Sequence, residues 1–225
     1  MNEIRPAAVT KNFTMQNTMY AQGTAVLNWK ITFPQFWSQR YLEQAKQLNT
    51  YYYREALQHR QYAVTQLYPA AKKEQQAGGA ALPYELETAV NVTYNHACIL
   101  SLYTDEYEFT GGAHGMTVRK ADNWNLRAGK RIELCSLFPI RINCRNYLIR
   151  RIIAQIEKDP SLYFENYREL VVQNFDPERF YLTQSAIMIY FGLYEIAPYS
   201  SGIPVFAISY EADPVSVVCL ERRFT

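Results

Sequence analysis

Leu27, Trp29, Ile31 and Phe33 alternate with Asn28, Lys30 and Thr32. A period of two puts the apolar set on one face, which predicts a strand within residues 19–33. Pro34 follows and reads as the strand's end and the first turn of a helix. The period then changes. Trp37, Tyr41, Ala45, Leu48, Tyr52, Ala56, Ala63 and Leu67 recur at spacings of three, four or seven. That pattern predicts an amphipathic helix, or two with a break near Asn49-Thr50, running to about Ala71. Lys72-Lys73 complements the helix dipole, and Gly78-Gly79 punctuates the loop beyond. Period two returns over 84–94, with Leu86, Thr88, Val90, Val92 and Tyr94 on one face. Further strands follow at about 97–109 and 116–126, joined by short turns in an antiparallel meander.

The second half opens with a mixed stretch from Ile132 to Phe138. Tyr147, Leu148, Ile152 and Ile156 mark a helix over about 144–158, stopped by Asp159-Pro160. A short helix fits 162–174. Phe180–Leu182 and Ile187–Phe191 read as a strand pair, 194–202 as a Pro/Gly/Ser loop, and 203–210 as a last strand. Helices and strands mix without a βαβ rhythm. The expected class is therefore α+β, with antiparallel sheets, packed helices and two small intertwined subdomains. A boundary fits near 76–82 or near 110–130.

At 225 residues, the chain can bury a sizeable core. Lys+Arg is 23 and Asp+Glu is 21, a net charge of +2 that lacks the basic footprint of a nucleic-acid binder. The 19 tyrosines suit sheet faces and interface patches alike. Four cysteines, at 98, 135, 144 and 219, show no CxxC pairing. Scattered thiols fit a reducing compartment, with two disulfides as the open alternative. Residues 1–6 carry no apolar leader, and no apolar run reaches the ~18 residues of a membrane span. The expectation is a cytoplasmic chain, or one that follows a removed anchor. The sequence sets no oligomeric state.

Three of the nine glycines fall within Thr110-Gly111-Gly112-Ala113-His114-Gly115. Glycine permits positive φ and close backbone approach. His114 then either fixes a hairpin turn or presents a proton-transfer group, with Asp105 or Glu106 as its carboxylate partner. His96 and Cys98 share a strand face, the start of a zinc site that His114 would have to complete. His59 falls on the apolar helix stripe as a core or interface histidine. No P-loop, GxGxxG, GxSxG or HExxH occurs, so no cofactor or metal is expected and no catalytic residue is assigned. Tyr194-Glu195-Ile196-Ala197-Pro198-Tyr199-Ser200-Ser201-Gly202 offers two tyrosines and a proline in one loop, the material of a binding hot spot.

Taken in order, four segments carry a resemblance. They are the Gly-Gly-Ala-His turn, the Asn-Leu-x-x-Gly-Lys-x-Ile-x-Leu-x-x-Leu-Phe stretch at 125–138, Phe180-Tyr181-Leu182, and Tyr-Glu-Ile-Ala-Pro-Tyr-x-x-Gly at 194–202. The chain resembles the bacterial PdaC/RsiV-like family over roughly residues 8–212. That family includes the extracytoplasmic part of a lysozyme-sensing anti-sigma factor and the N-terminal module of a peptidoglycan deacetylase. The resemblance implies an N-terminal PdaC-like α/β half, residues 1–110. It also implies a C-terminal RsiV-like half, residues 111–225, related to a small subdomain of actin-like ATPases. It implies no catalytic residues of the chain's own. The expected function is non-enzymatic recognition of a protein, lysozyme-like, or of a cell-wall glycan. The expected contacts are Gly111, Gly112, His114, Tyr194, Pro198, Tyr199 and Ser200. A His–carboxylate or metal-assisted hydrolase is the alternative, and a cytoplasmic relative the third. A net charge of +2 is not the acidic complement of a basic lysozyme.

Overall fold

The computed structural model describes residues 6–78, 82–217 and 219. Met1–Arg5 and Gly79, which the sequence reading used, lie outside the described residues. The chain forms two compact units. The first comprises Ala8–Asn91 and Thr104–Lys120; the second comprises Ala7, Val92–Tyr103 and the described residues from Ala121 on.

Two sheets are present among the described residues. One has six strands in the order β1 (Val9–Ala21), β2 (Thr24–Trp37), β3 (Tyr84–His96), β4 (Ile99–Phe109), β5 (Met116–Asn125) and β6 (Lys130–Arg131). The other has three: β7 (Phe180–Leu182), β8 (Ala186–Tyr190) and β9 (Val205–Ser209). The mixed α+β class holds. The pairing is mostly antiparallel, as in the β1–β2 hairpin that sets Phe13 opposite Phe33 and Val9 opposite Trp37. β2 and β3 are instead parallel, with Leu27 against Tyr84 and Ile31 against Thr88. A long helical crossover separates these two strands, which is the length parallel pairing requires.

In the first unit that crossover is α1 (Leu42–Tyr62), a π-helical segment (Ala63–Leu67) and α2 (Tyr68–Gln76). The helix does not break at Asn49. Asn49 is a strand partner instead: Phe36 donates its N–H to Asn49 Oδ1 at 2.7 Å, and Asn49 Nδ2 donates to the Phe36 carbonyl at 3.0 Å. The irregularity falls at 63–67, just before Pro69. A proline has no N–H and its ring crowds the carbonyl four residues back, so a wider turn accommodates it. Ala56, Ala63, Leu67 and Ala71 pack on Leu27, Trp29, Ile31 and Phe33 in one core cluster. Small alanines on the helix face let the bulky strand residues interdigitate.

Pro34 sits inside β2 rather than starting a helix. The Thr32 N–H points away from β1, donating to Thr88 Oγ1 at 2.9 Å. Position 34, two residues on, faces the same way, where the β2–β3 register has ended. No ladder bond is lost there. β1 has no counterpart in the sequence reading. It is a sheet edge, exposed along most of its length, so no apolar alternation marks it.

In the second unit α3 (Cys144–Ile156) buries Leu148, Ile152 and Ile156 and packs on α4 (Tyr167–Asn174) and β9. The Asn143 side chain caps α3, accepting from the Asn146 N–H at 3.0 Å. A fully buried polar staple joins β4, β5 and β7. Ser101 Oγ bonds Asn123 Oδ1 at 2.7 Å, Asn123 Nδ2 donates to the Phe180 carbonyl at 2.7 Å, and the Leu182 N–H donates to Ser101 Oγ at 2.8 Å. Each member is satisfied, which is the condition for a polar group in a core.

All four cysteines pair: Cys98 with Cys219 and Cys135 with Cys144. The reading of scattered thiols gives way to its alternative, because the fold brings residues 121 apart in sequence within 5.7 Å at Cα. Among the described residues, no helix is long and apolar enough to cross a membrane.

Candidate aromatic recognition loop

The loop 194–202 follows β8 in the second unit, and Glu195 organises it. The Glu195 carboxylate accepts from Arg179 Nη1 at 2.6 Å on each oxygen and from the Gly192 N–H at 2.8 Å. Its carbonyl accepts from Asn174 Nδ2 at 3.1 Å. A Cβ at Gly192 would lie 3.0 Å from Glu195 Oε1, so the residue must be small for the carboxylate to fold back. Burial alone would ease the proton off Arg179, but the Glu195 hydrogen bond and charge, with Asp176, raise its pKa and keep it charged. Such charge-assisted bonds are about twice as strong as neutral ones.

Ile196 and Ala197 are buried and anchor the loop's middle, and the Phe164 N–H donates to the Ile196 carbonyl at 3.1 Å. Beyond them Pro198 and Ser200 are exposed, in and before a 3-10 turn over Tyr199–Ser201. Ser201 Oγ donates to the Leu162 carbonyl at 2.8 Å. Gly202 closes the turn at φ 69°, ψ −155°, a conformation essentially reserved for glycine.

The two tyrosines stand out against this braced frame. Their ring centroids are 5.7 Å apart at an interplanar angle of 33°, within the range of favourable aromatic pairs. Tyr199 is half-buried, whereas Tyr194 is 47% exposed. Tyr194 also has φ 64°, left-handed backbone that a non-glycine residue adopts only at a cost. The structure thus brings Tyr194, Pro198, Tyr199 and Ser200 together in one loop.

The turn 111–115 belongs to the first unit. Gly111 and Gly112 have φ of 94° and 89°. Gly115 is buried, and a Cβ there would lie 2.4 Å from the Tyr107 ring and 2.6 Å from the Glu108 carbonyl. The last glycine is therefore demanded by close approach. His114 is exposed, with Nδ1 3.1 Å from the Gly115 carbonyl.

The acid–base pairing considered for His114 is not what the strands build. Arg119 holds Asp105 through two bonds of 2.7 Å from Nε and Nη2. Glu106 is met by Lys120 Nζ at 2.9 Å and by His59 Nε2 at 3.3 Å. Glu108 takes the Tyr62 hydroxyl, and burial together with that bond raises the Tyr62 pKa. Burial would push the Glu106 carboxyl up, yet the bonds and charges of His59 and Lys120 hold it below its ordinary value. His59 is thus an ion-pairing residue tying α1 to β4, not a purely apolar core histidine. The zinc half-site at His96 and Cys98 also falls, because the Cys98 sulfur is bonded to Cys219. Sequence reasoning missed the Arg179–Glu195 hub, since 16 residues separate the partners and no local periodicity links them.

A family model described as Deacetylase PdaC matches residues 21–117. A second, described as a protein of unknown function (DUF3298), matches residues 136–211. Among solved structures, a DUF3298 family member from Bacteroides fragilis aligns at TM-score 0.69 and 20% identity, covering 93% of each chain. A DUF3298 family protein from Pseudomonas aeruginosa aligns at TM-score 0.58 and 19% identity, covering 91% of each chain. These two show the fold. No curated protein gives a match. The chain thus carries a match to the PdaC model followed by a match to the DUF3298 model, in the order that the PdaC/RsiV-like resemblance implies.

Proposed function

We propose that the protein is a non-enzymatic recognition domain, binding a lysozyme-like protein or a cell-wall glycan through the loop 194–202. The observation that carries this is Tyr194. Its left-handed backbone costs on the order of 1 kcal/mol, and the residue nevertheless remains 47% exposed. The Glu195–Arg179 hub and the buried Ile196 and Ala197 hold the ring pair in place. A rigid aromatic presented to solvent loses little entropy on binding, which is what hot spots exploit. Two disulfides support an oxidising, extracytoplasmic setting for such a role. With a net charge of +2, attraction to a basic protein would come from the local surface rather than from the chain as a whole. The turn at Gly111, Gly112 and His114 is a second contact candidate, resting on the exposure of His114 alone.

The test is biolayer interferometry on the oxidised full chain, with lysozyme in one arm and soluble peptidoglycan fragments in the other. Binding in either arm, weakened at least about tenfold by Tyr194→Ala/Tyr199→Ala, supports the reading. Equal affinity of wild type and a folded double variant, or no binding in either arm, overturns it.

A further inference from the structure

We propose a second binding site, independent of the tyrosine loop, that takes a short extended apolar peptide along the edge of β6. A cleft of about 550 Å³ opens in the second unit between the segment after β5 and the C-terminal segment. That volume suits a ligand of a few residues. Leu137 and Phe138 line it from one segment, Pro214 and Val215 from the other, and Ile99 of β4 contributes as well. The site falls on the 125–138 stretch that the sequence marks and that the tyrosine loop does not use.

Both walls are fastened. Leu137 and Phe138 lie inside the loop closed by Cys135–Cys144. The segment 213–216 leads to Cys219, which is bonded to Cys98 beside Ile99. The Ser216 N–H donates to the Leu137 carbonyl at 2.9 Å, tying one wall to the other. A preformed cleft needs little ordering before it binds.

Two further observations select a peptide. First, β6 is the last strand of its sheet, and its residues Lys130 and Arg131 line the cleft. β6 is two residues long, so its outer edge offers the backbone N–H and carbonyl of one residue, Arg131, to an added strand. Second, the charges that line the cleft divide into used and unused. Asp213 takes bonds from Tyr147, Arg151 and the Ser209 N–H. Arg131 pairs with Asp122 at 2.7 Å. Lys130 and Glu133 are exposed and hold no side-chain partner among the described residues. One cation and one anion beside an apolar trough complement a peptide with apolar side chains and a charge of each sign. A lipid chain would use neither the strand edge nor the anion.

The test is fluorescence anisotropy with the fluorescein-labelled pentapeptide Glu-Val-Phe-Val-Lys. Its control is Glu-Pro-Phe-Pro-Lys, which lacks the N–H groups of the second and fourth residues. Saturable binding is expected, weakened about tenfold by the proline control and by Ala128→Trp, which fills the mouth. Lys130→Glu is expected to weaken it about threefold, the size of one exposed ion pair. Ser216→Trp provides a second occluding variant on the opposite wall, so a folding defect in one does not decide the matter. Absence of saturable binding, equal affinity for both peptides, or affinity unchanged in both folded tryptophan variants overturns the proposal. Displacement of a bound anilinonaphthalene sulfonate by detergent but not by the peptide also overturns it, pointing to a lipid.

Discussion

The turn 111–115 and the loop 194–202 both mark the family in the sequence, yet they are built on opposite principles. The turn is a backbone device. Gly111 and Gly112 supply positive φ, and Gly115 lets the strand pass against Tyr107 and Glu108. The loop is a side-chain device: one carboxylate gathers Arg179 and Gly192, two apolar residues plug into the core, Tyr199 is half-buried and Tyr194 is exposed. In the turn the glycines are explained by fit. In the loop Tyr194 combines left-handed backbone with an exposed residue, a combination that burial does not call for.

The largest expected contrast comes from reduction, since both disulfides lie in the loop's unit. Removing Cys98–Cys219, whose ends are 121 positions apart in sequence, is expected to cost about 4 kcal/mol. Hydrogen exchange should then accelerate around 194–202 while protection near 111–115 persists; equal loss in both would break the contrast. Next is Gly115→Ala, at about 3 kcal/mol by chemical denaturation, because the added carbon meets a ring and a carbonyl. A cost under about 1 kcal/mol would show that the turn yields, and that its last glycine is not a steric requirement. Glu195→Ala is expected to cost about 2 kcal/mol, the value of bonds to a charged group that is three-quarters buried. It should also weaken ligand binding at the tyrosine loop.

The smallest effect is a pH dependence in the first unit. The folded-state pKa of Glu106 is depressed, so its contribution is present above the ordinary value of 4.5 and is lost as pH falls through the lower folded value. His59→Gln removes one cause of the depression and should flatten that acid limb. An unchanged limb in thermal unfolding between pH 3 and pH 5 would assign the depression to Lys120 alone.

Where burial is one-sided, the periodicity located the elements. The alternation around Leu27–Phe33 and the helical stripe from Ala45 to Leu67 both mark real core faces. β1 left no such trace because little of it is buried. Pro34 misled, since a proline ends a strand only where the N–H it lacks would be needed. The parallel β2–β3 pair, both disulfides and the Ser101–Asn123 staple are pairings between distant residues, which local pattern does not encode. At the candidate site the two tyrosines and the proline were legible as a motif. Their brace was not, because Arg179 reaches Glu195 from another segment.

The central claim is that the strained backbone at Tyr194 is maintained for the sake of its exposed ring. Tyr194→Gly relieves the strain and removes the ring in one step. Measured together by denaturation and by affinity for whichever ligand the wild type binds, it should be more stable than Tyr194→Ala by about 1 kcal/mol while binding at least about tenfold more weakly than the wild type. A variant that is more stable and binds as tightly as the wild type would contradict the account.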